Sequence, residues 1–333
     1  MAFYEKKTWE TLNLPVVSGD TYFTIFNRQT STPGDDFNGR IYSGLCLDGY
    51  GIENVNEILS QYVNPAQIAF TSSVQQDNNS HSTFYIYYTQ DDWETFTSDT
   101  VTLTYDWSYT VDARALLSEP IVNLVDYRQF LLSTVKAGTP DVSTTVYVTL
   151  DGSIIDSFGI TGYTYYNYIQ DLSTLDYGVT VPAVGSSYTL SVGGSTYVIS
   201  NTCYRYCLYY LNQYGGWDSL LFRGVEMKSD DLSRLSYKKN YVANSTDFHK
   251  VDYLTTLSEK WRLNTSYLND IESSRMVNLM ASNRIYIHDL ETGLISPVNI
   301  TNSTCEHKTY KNQGRKMATY TIEVSASQPK YRI

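Results

Sequence analysis

The chain has 333 residues, a formal net charge of −11, and 32 tyrosines against 11 phenylalanines. This length accommodates two or three domains, each with its own core. No apolar run approaches the roughly 18 residues of a membrane span, and the N-terminal sequence lacks the apolar region of a cleavable signal peptide. Four cysteines at scattered positions exclude a disulfide scaffold.

Tyrosine fits half-buried strand positions and also surfaces that become buried on association, so its abundance favours a β-rich protein and leaves both roles open. Charge is distributed unevenly: Met1 to Tyr204 holds 22 acidic and 7 basic residues, whereas Arg205 to Ile333 holds 13 acidic and 17 basic ones. Halves of opposite charge predict separate structural units with complementary surfaces, through which copies would meet head to tail.

Residues 1–110 are predicted to form an acidic, β-sandwich-like domain. Polar and apolar residues alternate from Tyr22 to Asn27, from Thr83 to Thr89 and from Thr100 to Tyr109, as in half-buried strands. Helical spacing occurs from Ile52 to Tyr62, which predicts a short helix or a turn that packs on a sheet.

Residues 111–198 are predicted to form a second small β domain. Strands are expected at Val142 to Leu150, Asp156 to Tyr168 and Tyr188 to Val192. The dipeptides Asp151-Gly152 and Gly193-Gly194 are typical of tight hairpin turns.

Residues 199–333 are predicted to form a basic α+β domain. A strand is expected from Cys203 to Leu211, and a helix from about Tyr267 to Ser282 with Asn264 or Thr265 as its N-cap. A final strand is predicted from Met317 to Val324. The predicted fold is therefore mainly β, with N-terminal sandwich- or barrel-like domains and a C-terminal α+β domain that has one main helix.

No arrangement of residues in the sequence predicts catalysis, and no cofactor or metal site is expected. The four histidines stand apart from one another and from the motifs of hydrolases and metal sites. Asp91 and Asp92 would offer paired carboxylates for glycoside hydrolysis, but a solvated acidic turn is the commoner role of such a pair. Cys203 and Cys207 would lie about 13 Å apart on one strand face, too far for a disulfide.

Two sets of residues are singled out in the C-terminal segment. Lys308, Lys311, Arg315 and Lys316 form a basic cluster, which is either a solvated hairpin or a surface that meets nucleic acid or an acidic neighbouring subunit. The charge asymmetry favours the acidic neighbour. Gly215, Gly216 and Trp217 are predicted to have a structural role, because a Gly pair after an apolar strand suits a turn with positive φ.

Three stretches carry a resemblance to a known family: CLYYLNQYGGWDSLLFRG, KWRLNTSYLND followed by IYIHDL, and HKTYKNQGRKMATYTIEV. Together they cover roughly Cys203 to Val324. This segment resembles virion proteins of tailed phages that infect gut Bacteroidetes, in particular the crAss-like podoviruses.

The resemblance implies a non-enzymatic subunit of the phage tail or neck, either a ring, an adaptor or a tail-hub protein around the DNA channel. Its partners would be copies of itself in a ring and other tail or neck proteins, with non-specific proximity to channel DNA, no membrane, and assembly in the host cytoplasm. The alternative is a receptor- or glycan-binding fibre or fibre adaptor, since Tyr- and Asn-rich surfaces also suit recognition. A glycan-active enzyme built around Asp91 or Asp92 is a distant third.

Overall fold

The structure is a computed structural model. It describes residues 67–77, 123–136, 143–161, 164–178, 182–223, 226–240, 246, 248–265, 268, 270–302 and 319–332, and, as strand backbone alone, 3–7, 14–15, 20–27, 40–47, 50–51, 81–90 and 97–104. The described part is mainly β with one α-helix, as predicted. None of its helical segments combines the length and the apolar character that a membrane span requires.

In chain order, the first strands are β1 (Phe3–Lys7), β2 (Leu14–Pro15), β3 (Asp20–Asn27), β4 (Arg40–Leu47), β5 (Tyr50–Gly51), β6 (Ser73–Asp77), β7 (His81–Gln90), β8 (Thr97–Thr104), β9 (Asn123–Asp126), β10 (Phe130–Lys136), β11 (Thr144–Leu150) and β12 (Ser153–Ile160). The others are β13 (Tyr165–Asp171), β14 (Ser187–Val192), β15 (Ser195–Ser200), β16 (Tyr206–Leu211), β17 (Trp217–Leu221), β18 (Met227–Lys238), β19 (Lys250–Asn264), β20 (Ile285–Asp289), β21 (Leu294–Ile300), β22 (Thr321–Ala326) and β23 (Lys330–Arg332). The helix α1 is Asp270–Ala281.

Four sheets result from the pairing of these strands. The first has the order β1-β8-β7-β3-β4-β5-β2 and contains the strands predicted at residues 22–27 and 83–89. It also contains the strand predicted from Thr100 to Tyr109 as far as Thr104, beyond which the prediction lies outside the described residues. The second has three strands, β10-β13-β6, and the third has five, β12-β11-β14-β15-β9. The fourth runs β17-β16-β20-β21-β22-β19-β18, with β23 also paired to β19.

The three-stranded sheet lies between the other two sheets of the C-terminal two thirds, because β10 and β13 are buried on both faces. In β10, Leu131 and Val135 enter one apolar core together with the five-stranded sheet. Leu132 lies on the other face of β10, in a second core with β16 and β17. This is the near-continuous burial expected of a strand covered on two sides.

The eight-stranded sheet is also covered on both faces along β16. Tyr206, Leu208 and Tyr210 enter a core that contains Met276 and Leu279 of α1. Cys207, Tyr209 and Leu211 point the other way, toward the three-stranded sheet. The period of two in this fully buried strand thus places a helix on one side and a sheet on the other.

Two predictions of local structure are wrong. The stretch Asp156 to Tyr168 is not one strand, since β12 ends at Ile160 and β13 begins at Tyr165. Asn264 and Thr265 do not cap the helix, which begins at Asp270. Asn264 ends β19, where its Oδ1 accepts a hydrogen bond from the Thr321 hydroxyl at 2.6 Å. Asn264, which local sequence predicts to be a helix cap, is therefore part of the strand that pairs with β22.

The predicted hairpin turns are confirmed. Asp151 (φ 47°) and Gly152 (φ 83°) join β11 to β12, and Gly193 (φ 57°) and Gly194 (φ 89°) join β14 to β15. Two consecutive residues of positive φ are what a type I′ turn requires. The segment predicted as a helix or turn, Ile52 to Tyr62, lies outside the described residues.

The three-domain division stays a prediction, but hydrogen bonding crosses its boundaries. The strand β6, from the first predicted domain, pairs with β13 of the second over five residues. At the predicted boundary between the second and third domains, the Arg128 guanidinium of the second donates to the carbonyls of Thr202 (2.9 Å) and Tyr204 (2.8 Å) of the third. Its Nε also pairs with the fully buried Asp126 at 2.8 Å. This partly buried ion pair holds the chain in place where it passes from the five-stranded to the eight-stranded sheet.

Candidate interaction surface

The antiparallel hairpin of β18 and β19, here called the arm, is the longest extension in the described part of the chain. Its strands have 12 and 15 residues, so β18 alone spans about 40 Å at roughly 3.3 Å per residue. Lys260 to Asn264 pair with β22, and Thr255 to Leu257 pair with β23. Beyond these, β19 pairs only with β18 among the described residues, so the distal arm is a two-stranded ribbon.

The root of the arm is built into the core. Trp261 of β19 is buried and belongs to the apolar cluster that holds α1 against the eight-stranded sheet. Lys228 lies opposite Trp261 on β18, with its Nζ 5.3 Å from the centre of the indole ring. The packing of Trp261 therefore holds the base of the arm in place on the eight-stranded sheet.

One face of the arm exposes a run of large apolar side chains. Leu235 and Tyr237 share this face because they are two residues apart on β18. Tyr331 lies on the same face. It pairs with Thr256, which is two residues from Leu254, and Leu254 pairs with Leu235. Tyr253 joins them at a bulge, where its ring centre lies 6.3 Å from that of Tyr237. These four side chains are 49% (Leu235), 48% (Tyr237), 51% (Tyr253) and 66% (Tyr331) exposed.

Ion pairs fix the register of the arm. Glu259 receives Nζ of Lys330 at 3.1 Å and Nζ of Lys228 at 3.3 Å, and Lys330 together with Lys228 lowers the pKa of Glu259. Lys260 pairs with Asp231 at 2.8 Å. Because these pairs are exposed to solvent, each adds little to the stability of the fold. They select one alignment of the strands and leave the tyrosine face uncovered.

A second exposed patch lies on the hairpin of β11 and β12. Ile154 and Ile155 of β12 are 64% and 42% exposed, and Tyr147 of β11 is exposed as well. Asp151 and Asp156 are exposed on the same hairpin. Residues 137–204 contain five Asp and no Lys or Arg, so the surroundings of this patch are acidic. We call it the acidic hairpin.

The described residues do not bring together the ligands of a metal ion. No group of three or more His, Cys, Asp or Glu that could hold a metal ion occurs among them. Cys203 is exposed and Cys207 is buried, both as free thiols, and burial raises the pKa of the Cys207 thiol. Asp91 and Asp92 lie outside the described residues.

The residues singled out in the sequence have different outcomes. Gly215, Gly216 and Trp217 lie in the hairpin between β16 and β17, where Gly215 has φ 82°. Oδ1 of Asn212 accepts from the amides of Tyr214 (2.9 Å) and Gly216 (3.0 Å), and the Trp217 amide donates to the Thr134 hydroxyl at 3.0 Å. The basic cluster of Lys308, Lys311, Arg315 and Lys316 lies outside the described residues.

The arm itself is absent from the sequence-based predictions. The strand β18 is exposed on both faces over most of its length, and β19 is half-buried on both faces along its middle, so the alternation that marks a strand with one buried face is weak. The usable signal is in the charges: Asp231, Arg234, Asp252 and Lys260 recur at positions that become cross-strand pairs. Such pairing is visible only when the register of the two strands is already known.

Comparison of the chain with protein-family models, with curated proteins and with solved structures found no match.

Proposed function

We propose that this protein is a non-enzymatic structural subunit of a bacteriophage tail or neck, a ring, adaptor or tail-hub protein that assembles as a multimer in the virion. The observation that carries the proposal is the arm. It is a long ribbon rooted in the core, and it holds tyrosine and leucine side chains in solvent.

An isolated two-stranded ribbon is only marginally stable in water, and contiguous exposed apolar side chains mark interaction sites. Tyrosines are favoured at such sites because they bury a large ring while the hydroxyl group still finds a polar partner. The arm therefore has the composition of a contact surface that is completed by another protein. Its ion pairs hold it in shape before the partner arrives.

Charge and resemblance support the same proposal. Residues 227–264 together with β23 contain nine Lys or Arg and five Asp or Glu, whereas residues 1–204 carry a net charge of −15. Copies of such a chain attract each other through unlike regions and repel through like ones. The sequence stretches that resemble crAss-like phage virion proteins include the root of the arm at Lys260 to Asp270.

The test is to shorten the arm without disturbing its root. A variant in which residues 236–253 are replaced by Asn-Gly would join Leu235 to Leu254, which are opposite each other, through a type I′ turn. In light scattering we expect the wild type to form a multimer and this variant to stay monomeric, with the melting temperature of the core unchanged. It should also be missing from purified phage particles when it replaces the natural subunit.

A matched control is the double variant Val277→Ser and Leu294→Ser, which removes exposed apolar side chains away from the arm. It should assemble as the wild type does. Unchanged assembly of the shortened variant would contradict the proposal. Binding of the monomer to host-surface glycans, abolished by loss of the arm, would support the fibre or adhesin alternative instead.

A further inference from the structure

Two strands on different sheets have an unpaired edge. Among the described residues, β18 hydrogen-bonds only to β19, and β12 hydrogen-bonds only to β11. Each strand therefore presents a row of backbone N–H and C=O groups that another strand can complete. The two edges belong to different sheets of the chain and do not pair with each other within it.

The two edges differ in protection. The strand β18 carries five charged residues, Lys228, Asp230, Asp231, Arg234 and Lys238, and charges of this kind keep an edge from pairing indiscriminately. The strand β12 has only Asp156, next to the exposed Ile154 and Ile155. An edge with two exposed isoleucines and one charge is an aggregation site unless something covers it.

The edges also differ in the charge around them. The arm with its turn and β23 has a net charge of +4, and residues 137–204 have a net charge of −5. Unlike charges at two edges steer them together, while two arms or two acidic hairpins repel. Length agrees as well, because the eight residues of β12 fit within the twelve of β18.

We propose that β12 of one copy pairs by strand addition with the outer edge of β18 of a second copy of this chain, which joins the five-stranded sheet of one subunit to the eight-stranded sheet of the next. This inference rests on the proposed multimeric function and names the contact that builds the multimer. The contact is heterologous, since it uses different surfaces of the two copies. Repetition of such a contact produces a ring when the rotation closes.

Strand addition also explains how the exposed side chains become covered. Main-chain hydrogen bonds supply affinity, and alternate side chains contact the neighbouring faces. Ile154 and Ile155 point to opposite faces of β12, as do Leu232 and Leu235 of β18, so each face of the joined sheet gains apolar cover.

The test uses cysteine cross-linking in the full chain, with Cys46, Cys203 and Cys305 replaced by Ser. Ser153→Cys and Ser157→Cys mark β12, and Ser229→Cys and Ser233→Cys mark β18; all four serines are exposed. Paired strands lie about 4.8 Å apart, so a short bismaleimide bridges them. Thr292→Cys, on an exposed turn after β20, is the control, and light scattering records multimer formation in parallel.

A chain marked on β12 mixed with a chain marked on β18 should give a cross-linked dimer and nothing larger. A chain that carries both marks should give a ladder of covalent oligomers up to the size of the multimer, and Thr292→Cys should give none. A multimer that cross-links β18 to β18, or that gives no β12-to-β18 product, would overturn this inference and leave the proposed function intact. A wild-type chain that stays monomeric and is absent from particles would overturn both.

Discussion

The hydroxyl group of Tyr209 lies 3.0 Å from Nδ1 of His288, and both side chains are buried between the eight-stranded and three-stranded sheets. The same hydroxyl accepts a hydrogen bond from the Phe130 amide at 2.9 Å. Its own proton is available to His288, and a neutral His288 with its proton on Nε2 accepts it at Nδ1. If His288 were protonated, Nδ1 could no longer accept the hydrogen bond from Tyr209, and the imidazolium would be a buried charge.

Folding stability should fall in mild acid because of His288. Burial lowers its pKa from 6.5 to about 4, so between these values the unfolded chain binds more protons than the folded one. The contribution is complete above pH 6.5 and is lost as the pH falls through 4, with a total of roughly 3 kcal/mol. Denaturant unfolding between pH 4 and 7 should show this slope in the wild type, and His288→Phe should flatten it. An unchanged slope in that variant would assign the effect to other groups.

Glu226, immediately before the arm, should have the opposite effect. Burial raises its pKa from 4.5 to about 7, against the opposing influence of Arg205. The folded state then holds a proton that the unfolded chain releases, so this contribution is present below pH 4.5 and is lost as the pH rises through 7. Glu226→Gln should remove the decline, which is measured as the difference in unfolding free energy between pH 5 and pH 8. A decline of wild-type size in Glu226→Gln would contradict the assignment.

Loss of Arg128 should be among the most destabilising single changes on the surface of the fold. Arg128→Met leaves the fully buried Asp126 without its cation and frees two carbonyls, which should cost about 3 kcal/mol or more. The control is Arg205, which is only partly buried and pairs with Asp289 at 3.0 Å, and Arg205→Met should cost about 1 kcal/mol or less. Adding Asp126→Asn to Arg128→Met should recover part of the stability. No recovery would show that the carbonyl contacts dominate.

The two adjacent glycines of one hairpin turn should differ in their tolerance of Ala. Gly193 and Gly194 both have positive φ, so each substitution carries a backbone penalty of about 1 kcal/mol. A Cβ at Gly193 would lie 2.9 Å from Cγ2 of Val135, whereas a Cβ at Gly194 meets nothing within 4 Å. We therefore expect Gly193→Ala to lower the unfolding free energy more than Gly194→Ala, by a further 1 kcal/mol or more. Equal losses would show that Val135 moves aside freely.

The tyrosine face of the arm should be required for assembly and not for folding. The triple variant Tyr237→Ser, Tyr253→Ser and Tyr331→Ser removes side chains that are about half exposed or more. Their loss should leave the melting temperature within a few degrees of the wild type, because surface substitutions change stability little. The multimer should weaken at least tenfold, measured by sedimentation as a function of concentration. The variant Val277→Ser and Leu294→Ser, which lies outside both the arm and the acidic hairpin, is the control and should assemble as the wild type does.

Local sequence determined the features that depend on neighbouring residues alone. The Asp151-Gly152 and Gly193-Gly194 turns were predictable because two consecutive positions of positive φ admit few residue types. The strand containing Tyr206 to Leu211 was predictable from its unbroken apolar run, and the helix from its apolar spacing. In each of these elements, the conformation is fixed by the steric preference or the apolar spacing of a few neighbouring residues.

Tertiary structure decided what depends on a distant partner. Asn264 had the chemistry of a helix cap, but the backbone there is paired with β22, so its side chain bonds Thr321 instead. The strand β6 (Ser73–Asp77) pairs with β13, about ninety residues away in the sequence. The residues next to β6 in the sequence do not belong to this sheet, so local sequence does not predict the pairing. The arm gave no periodic signal, since both faces of β18 are exposed to solvent and β19 is half-buried on both faces along its middle. Its role as a contact surface follows only from the register that aligns its charges and leaves its tyrosines exposed.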